Sequence, residues 1–462
     1  MHIQFCGAAQ TVTGSCHLLT LDNGQKILLD CGLYQGHEET MEAFNQQWFF
    51  KPSEIEVLVL SHAHIDHSGR IPRLVKDGFK GNIYCTSATR DLCASMLLDS
   101  AHIQEMDARE EQKRKKNNAQ PLYTEYDVKA SLRLFRTVEY NTNFSIGENV
   151  KVIFKDAGHI LGAASVTLTI NENNRQTILG FSGDIGRYNR PILKDPENMP
   201  VCDYLLSEST YGGITHPESP EDMRQFYRVI EETCVQNKGK LIIPAFSIGR
   251  TQEILYRLNE LEAENKLPDI PVYVDSPLSM NATEIYRLHP ECMDDEVTGI
   301  LQKDDNPFGW NKMHYIKNPE ESKRLNHSGE ACIIISASGM AEAGRIKHHI
   351  YHHITQPENT IMIVGYCAEG TLGERLVKRP ATVKIFGEEL PVLARIEVLS
   401  SMSAHADEPE ILKFHSVQDK QRLKKIFLVH GEPKRQEALK TSMLKNGYSN
   451  INIPKLGQEF EL

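Results

Sequence analysis

The sequence lacks several features that would place it in a particular class of protein. No apolar run approaches the ~20 residues that cross a bilayer. The first residues, Met1-His2-Ile3-Gln4-Phe5, have neither the basic start nor the long apolar segment of a signal peptide. The ten cysteines are scattered singly with no Cys-x-x-Cys pair, which is typical of reduced thiols in a cytoplasm. Excess positive charge is also missing, since the formal net charge is −11. We therefore expect a cytoplasmic protein that neither enters a membrane nor coats nucleic acid nonspecifically.

Length and composition set the broad class. At 462 residues the chain is too long for one ordinary hydrophobic core, so we expect two domains. A hydrophobic content of 40% and a charged content of 24% are those of a folded globular protein. The negative net charge is still compatible with an enzyme that acts on phosphates, because bound cations contribute positive charge of their own.

The densest group of metal-binding side chains is His62-Ala63-His64-Ile65-Asp66-His67. The apolar run before it predicts a buried strand, and the residues after it predict a helix over Ser68–Lys76. His62 and His64 share one face of an extended chain, and a turn brings Asp66 and His67 to a neighbouring position. Imidazole nitrogen and carboxylate oxygen are ligands that suit zinc. The motif therefore predicts a metal site at a strand end rather than solvated loop histidines.

Other polar residues follow predicted apolar strands in the same way, namely Asp30, His159, Asp184, Glu208, His405 and His430. A sheet can hold such side chains rigidly, which suits ligands. Two cations that share a bridging Asp184 would use these ligands: His62, His64, His159 and Asp184 for one ion, and Asp66, His67, Asp184 and His430 for the other. We therefore expect two Zn²⁺ ions per chain, which would activate a water near neutral pH and clamp an in-line displacement.

Two features have alternative interpretations. Asp30 ends a predicted strand beside Cys31-Gly32, where it could cap a turn or orient a metal-bound histidine. The histidines between His348 and His353 have the i, i+4 spacing of a metal site, but we expect them to be mainly exposed residues of a helix. The sequence decides neither question.

From about Pro217 the pattern becomes alternating helix and strand, which predicts a parallel sheet covered by helices. The earlier pattern returns near Pro391, so residues 1–208 and 392–462 are predicted to form one domain, and residues 209–391 an inserted one. Two turns of the insert open helices at strand ends, where backbone N–H groups can receive an anion. The candidate phosphate contacts are Ser247, Arg250 and Ser338 in these two turns, and Ser403 in the segment 392–462.

The pattern resembles the metallo-β-lactamase superfamily and, within it, the β-CASP nucleases. The superfamily's four motifs correspond to Asp30, the segment His62–His67, His159 and Asp184. The three β-CASP motifs correspond to Glu208 in Ser-Glu-Ser-Thr-Tyr-Gly, His405 in Ser-Ala-His-Ala-Asp and His430 in Val-His-Gly-Glu. The resemblance covers essentially the whole chain, and the later motifs are its most specific part.

The resemblance implies an α/β protein, an αββα metallo-β-lactamase sandwich with an inserted β-CASP domain as a lid. It implies catalytic roles for Asp66, His405 and Glu208, with His405 as the leaving-group acid and Glu208 orienting it. A histidine at the third motif, His430 here, is typical of the RNA-processing members. The implied substrate is single-stranded RNA, cut to 5′-phosphate and 3′-hydroxyl ends. The chain ends soon after His430, and we expect endonucleolytic cutting for that reason.

Other functions stay open. A 5′–3′ exoribonuclease of the same family would use the same residues. A small-molecule metallo-hydrolase on the same fold would need neither the insert nor His405. An inactive partner subunit is expected to have lost ligands, and none is missing here. The sequence also leaves open a homodimer and the identity of the RNA.

Overall fold

The computed structural model describes residues 1–35, 43–115, 118–216, 219–303, 306–365, 367, 370–399 and 402–462. The strands are β1 (His2–Phe5), β2 (His17–Thr20), β3 (Lys26–Leu29), β4 (Val57–Val59), β5 (Asn82–Cys85), β6 (Phe135–Thr137), β7 (Phe144–Ser145), β8 (Val150–Asp156), β9 (Ala164–Glu172), β10 (Arg175–Phe181), β11 (Tyr204–Glu208), β12 (Lys240–Pro244), β13 (Val272–Val274), β14 (Met313–Tyr315), β15 (Cys332–Ser336), β16 (Thr360–Val364), β17 (Thr382–Ile385), β18 (Glu388–Pro391), β19 (Arg395–Leu399), β20 (Lys425–Val429), β21 (Ile451–Asn452) and β22 (Glu459–Glu461).

The helices lie between these strands at several points along the chain. They are α1 (Ile65–Ser68), α2 (Ile71–Lys76), α3 (Ser87–Lys115), α4 (Glu125–Leu132), α5 (Ser219–Ile230), α6 (Arg250–Ala263), α7 (Pro277–Leu288), α8 (Asp295–Gln302), α9 (Pro319–His327), α10 (Arg345–His353), α11 (Leu372–Val377), α12 (Glu408–His415) and α13 (Pro433–Lys445). The sequence predicts that α3 extends to Lys116, which lies outside the described residues. Within the described part of the chain, no helix has the length and apolar character that a membrane span requires.

The chain divides into two compact units, residues 1–215 with 405–462, and residues 216–404. The first unit contains two sheets, with strand orders β22-β1-β2-β3-β4-β5-β6 and β21-β20-β11-β10-β9-β8-β7. Both sheets contribute to one hydrophobic core, in which Phe5 and Leu29 of one sheet join Phe154, Phe181 and Phe427 of the other. The two sheets therefore pack against each other through their apolar faces.

Helices cover the outer faces of these sheets. Helix α3 lies against β6 and α13 against β20. Phe414 of α12 and Leu439 of α13 pack on Leu205 and Leu428, whose side chains point away from the core between the sheets. The first unit is therefore an αββα sandwich, as the resemblance to the metallo-β-lactamase superfamily implies.

The second unit is built on a sheet with strand order β14-β13-β15-β12-β16-β19, and its neighbouring strands are parallel. Helices α10 and α11 bury Ile346, Ile350 and Leu372 against this sheet. A parallel sheet covered by helices is confirmed for the insert.

The division of the chain differs at both ends of the insert from the predicted segments 1–208, 209–391 and 392–462. Strand β19 pairs with β16 of the second unit, in register Thr360 with Arg395. The apolar strand after residue 391 therefore completes the sheet of the insert, and the first unit resumes at His405.

Candidate active site

The site lies where several strands of the first unit end. Strands β10, β11 and β20 are mutually parallel, and β8 runs in their direction because β9 is antiparallel to both β8 and β10. Their carboxyl ends therefore meet at one edge, and the residues at or after them are Glu208, His159, Asp184 and His430. Strand β4 of the facing sheet leads into the segment His62–His67.

The local fold of that segment differs from the prediction in one respect. Helix α1 begins at Ile65 rather than at Ser68, because the carbonyl of His64 already accepts the N–H groups of His67 and Ser68 at 2.9 Å. Asp66 and His67 are therefore held by helical backbone and not by a turn.

The first ligand group consists of His62, His64, His159 and Asp184. Nδ1 of His64 lies 3.2 Å from Nε2 of His62 and 3.2 Å from Nε2 of His159. Oδ2 of Asp184 lies 3.5 Å from each of those Nε2 atoms. The structure thus brings together the four side chains predicted for the first cation.

The second group consists of Asp66, His67 and His430, and Asp184 also borders it. Nε2 of His67 lies 3.2 Å from Nε2 of His430 and 3.3 Å from Oδ2 of Asp184. Oδ2 of Asp66 lies 3.3 Å from Nε2 of His430. Asp184 is therefore the residue that the two groups share.

These spacings fit divalent cations. Donor atoms bound at about 2.0–2.1 Å to one tetrahedral cation lie about 3.3 Å from each other, and most of the distances above are 3.2–3.5 Å. In addition, Oδ1 of Asp184 is buried and accepts no hydrogen bond from any described residue. Such a buried oxygen calls for a positive partner. Zinc is compatible with this set of nitrogen and oxygen donors.

The protonation states of the side chains in the first group also favour a bound cation. Burial lowers the pKa of His62 and His159 well below the usual value, and that of His64 to about 4. These imidazoles are therefore neutral at pH 7, which is the form that binds a cation. Burial by itself would raise the pKa of Asp184, but neighbouring histidines, His430 first, hold it well below its usual value. Asp184 is therefore ionised.

Asp30 contacts Nδ1 of His67, the ring nitrogen that does not face the second group. Its Oδ2 lies 2.6 Å from Nδ1 of His67 and accepts the hydroxyls of Ser61 and Ser15 at 2.9 and 3.0 Å. Burial lowers the pKa of His67, but the carboxylates of Asp184 and Asp30 outweigh it and raise this pKa well above the usual value. Of the two interpretations of Asp30, the geometry favours orientation of a histidine, because Nδ1 is occupied and Nε2 faces the second group.

Glu208 and His405 form a pair beside the first group. Nδ1 of His405 lies 3.2 Å from Oε2 of Glu208 and 3.9 Å from Oδ2 of Asp184. Burial lowers the pKa of His405, yet the charges of Glu208 and Asp184 raise it to about 9. The ring of His405 lies 4.5 Å from that of His159, and its side chain is 20% exposed. A protonated imidazole therefore lies within reach of solvent next to the ligand groups.

The four candidate phosphate contacts lie in the second unit. Ser247 is buried with its Oγ 3.1 Å from Oγ of Ser276, and Arg250 is buried in an ion pair with Glu253. The hydroxyl of Ser338 lies 3.4 Å from the carbonyl of Ala343. A role for these residues, and for Ser403, in binding phosphate stays a prediction.

The histidines of α10 do not form a metal site in the described part of the chain, where every ligand group lies in the first unit. His349 and His353 are buried rather than exposed. His349 bonds to Asp275 at 2.7 Å and to Asn326 at 2.6 Å, so its ring serves the packing of the second unit.

Two residues that contact predicted site residues are not indicated by the sequence pattern. Ser61 donates its backbone N–H and its hydroxyl to Asp30. The hydroxyl of Thr210 contacts His430 at 3.1 Å. Both residues are adjacent or close in sequence to predicted site residues. Serine and threonine are also common in ordinary turns, so the sequence alone does not show that these two have a role in the site.

Three segments match known families. Residues 18–179 match the metallo-beta-lactamase superfamily domain, residues 251–376 the Beta-Casp domain, and residues 389–454 the zinc-dependent metallo-hydrolase RNA specificity domain. These segments together cover most of the chain.

Individual proteins are similar over nearly the whole chain. Ribonuclease TTHA0252 of Thermus thermophilus is 34% identical, with 99% of each chain covered. Cleavage and polyadenylation specificity factor 73 of Drosophila melanogaster is 31% identical over 96% of this chain and 61% of its own length. Transcription termination factor FttA of Methanocaldococcus jannaschii is 30% identical over 94% of this chain and 67% of its own.

A crystal structure of a protein of unknown function from Enterococcus faecalis V583 has a similar fold. The TM-score is 0.54 at 13% identity, and the match covers 100% of this chain and 99% of that one. At this level of identity the similarity concerns the fold alone.

Proposed function

The chain belongs to the β-CASP ribonuclease family of the metallo-β-lactamase superfamily, and we propose that it is a zinc-dependent endoribonuclease acting on single-stranded RNA. It would leave 5′-phosphate and 3′-hydroxyl ends. The observation that carries this proposal is the juxtaposition of two ligand groups sharing Asp184 with the pair Glu208–His405, 3.9 Å from the shared carboxylate. One of the relatives named above is a ribonuclease by name, and another is a cleavage and polyadenylation specificity factor.

The two ligand groups would hold one zinc ion each. When bound, two divalent cations supply an activated water near neutral pH and neutralise charge on the phosphate oxygens. The side chains of this chain would position the two cations. Asp30 fixes the ring of His67, and Asp184 is shared between the two groups. Both positions lie at strand ends, whose backbone is rigid.

His405 would protonate the departing sugar oxygen. Its Nδ1 is held by Glu208, which leaves Nε2 for the proton donation. Because its pKa is raised to about 9, the imidazolium form is available at neutral pH. Attack by water on phosphorus with the 3′-oxygen as the leaving group gives the 5′-phosphate and 3′-hydroxyl ends.

The test is a side-by-side digestion of matched RNA and DNA oligonucleotides, each single-stranded and as a duplex, followed by end-group analysis. We expect single-stranded RNA to be cut with weak sequence preference, since phosphate contacts position without specifying. Equal cutting of RNA and DNA would contradict the proposed specificity. Products with 2′,3′-cyclic phosphate would contradict direct attack by water.

The alternative is a 5′–3′ exoribonuclease with the same site. A circular single-stranded RNA separates the two, because it has no end from which an exonuclease can start. We expect the circle to be opened at the same order of rate as a linear RNA of equal sequence. An intact circle beside a degraded linear RNA would favour the exonuclease.

Zinc content is a separate test. We expect elemental analysis of active protein to find two zinc ions per chain, with lower occupancy at acidic pH because protons compete for the ligands. Fully active protein with no more than one ion would contradict the shared role of Asp184.

A further inference from the structure

We propose that Thr210 is a positioning residue for the second ligand group: its hydroxyl fixes His430 as the tautomer protonated at Nδ1, so that Nε2 is left to bind a cation. This inference rests on the proposed function, since it concerns the metal site of the same enzyme. Nothing in the family motifs used above assigns a role to Thr210.

The contacts of the hydroxyl define the tautomer. Oγ1 of Thr210 lies 3.1 Å from the carbonyl oxygen of His430 and 3.1 Å from Nδ1 of the same residue. A hydroxyl has one proton to donate, and Thr210 donates it to the carbonyl oxygen of His430. With that proton given to the carbonyl, the hydroxyl can meet Nδ1 only as an acceptor, so Nδ1 carries hydrogen.

The remaining ring nitrogen faces the ligand group. Nε2 of His430 lies 3.2 Å from Nε2 of His67 and 3.3 Å from Oδ2 of Asp66. An unprotonated Nε2 is therefore presented to the position that a cation would take.

The backbone of His430 needs support as well. His430 has a φ of +48°, a left-handed conformation that a non-glycine residue keeps only when its surroundings hold it. The N–H of His430 donates to Ala8 at 2.8 Å, and the N–H of Ser209 donates to the carbonyl of His430 at 3.2 Å. Thr210 donates to that same carbonyl, so it fixes backbone and ring together.

Thr210 thus does for His430 what Asp30 does for His67. Each occupies Nδ1 of its histidine and leaves Nε2 facing the second group. Such outer partners typically change metal affinity by roughly 10–100-fold when removed. A hydroxyl adds no negative charge, so its effect is orientation rather than increased basicity of the ring.

The experiment compares Thr210→Val, which keeps the shape and removes the hydroxyl, with Thr210→Ser, which keeps the hydroxyl. Thr441→Val is the matched control, because Thr441 lies exposed on α13 and its hydroxyl contacts the carbonyl of Glu437. Zinc alone is titrated into metal-free protein in competition with a chromophoric chelator. Thermal unfolding of each metal-free variant reports whether the fold is intact.

We expect Thr210→Val to weaken one zinc-binding step by roughly 10–100-fold and to leave the other step unchanged. Thr210→Ser and Thr441→Val should bind as the wild type does. Long-range ¹H–¹⁵N spectra of the histidine rings should show His430 as the Nδ1–H tautomer in the wild type and in Thr210→Ser, and a mixture in Thr210→Val.

Unchanged affinities of Thr210→Val, or equal weakening by Val and Ser, would overturn the inference. The first would mean that the hydroxyl is dispensable, and the second that the residue acts by packing. Failure of the proposed function is distinguishable, because it would appear as wild-type protein that binds two zinc ions with the expected tautomer and does not cut RNA.

Discussion

The carboxylate of Glu208 lies 3.2 Å from Nδ1 of His405. Glu208 also accepts the backbone N–H of Ile185, the residue that follows the shared ligand Asp184. One buried carboxylate therefore fixes the ring of the expected proton donor and the backbone next to the ligand groups.

Removing either member of this pair should slow cleavage without removing metal. We expect His405→Ala and Glu208→Gln to keep both zinc ions and to lower the rate by roughly 10²–10⁴, the range for loss of general acid catalysis. Single-turnover cleavage and elemental analysis measure the two effects. The exposed pair His102–Glu125 provides the controls His102→Ala and Glu125→Gln. Loss of zinc from His405→Ala would show that His405 is a ligand instead.

Asp30→Asn should weaken the second zinc-binding step. Asparagine offers one oxygen and one amide, so it cannot accept from His67, Ser61 and Ser15 as the carboxylate does. We expect a loss of affinity of roughly 10–100-fold at one of two steps, measured by chelator competition. Asp77→Asn is the control, because this carboxylate accepts from Trp48 and Arg73. Two unchanged zinc steps would rule out the orienting role of Asp30.

Gly32→Ala should displace helix α1 and with it Asp66 and His67. A Cβ at Gly32 would lie 1.6 Å from the carbonyl oxygen of Asp66, so backbone would have to move. We expect a loss of about 1–3 kcal/mol in the free energy of unfolding together with weaker binding of one zinc ion. Gly329→Ala is the control, because a Cβ there meets nothing within 4 Å. A Gly32→Ala protein with wild-type stability and zinc content would contradict the close approach.

His415 should make metal-free protein less stable in acid. Burial lowers its pKa from 6.5 to about 3, and its Nε2 bonds to Ser207 at 2.8 Å. The unfolded chain therefore binds a proton more readily than the folded one. The stabilisation is complete above pH 6.5 and is lost toward pH 3, by about 1.4 kcal/mol per pH unit.

His415→Gln should show a shallower fall in unfolding free energy than the wild type. Urea unfolding of chelator-treated protein at pH 7.5, 5.5 and 4.5 measures the difference, and His102→Gln serves as the exposed control. Parallel curves for wild type and His415→Gln would mean that His415 is not the group that titrates.

Much of the local structure is readable from the sequence. The strands Asn82–Cys85 and Lys425–Val429 can be read from the sequence, because each is an apolar run ended by turn or site residues. Helix α4 (Glu125–Leu132) cannot be expected from the sequence, since it is short and buries only Val128 and Ser131, so it shows no extended apolar repeat. The apolar strand after residue 391 can be expected from the sequence, but its pairing with β16 cannot, and that pairing assigns β19 to the second unit.

The sequence by itself determined which side chains are available for chemistry: the motif His62–His67 and single acids and histidines after apolar strands. Residue type and strand ends are local properties, so a pattern can show them. The tertiary structure alone decided which nitrogen of each histidine faces the ligand groups, and which hydroxyl or carboxylate occupies the other. His67 and His430 are 363 positions apart and their Nε2 atoms lie 3.2 Å apart, because strand register and sheet packing bring them together and neither is encoded in any local stretch.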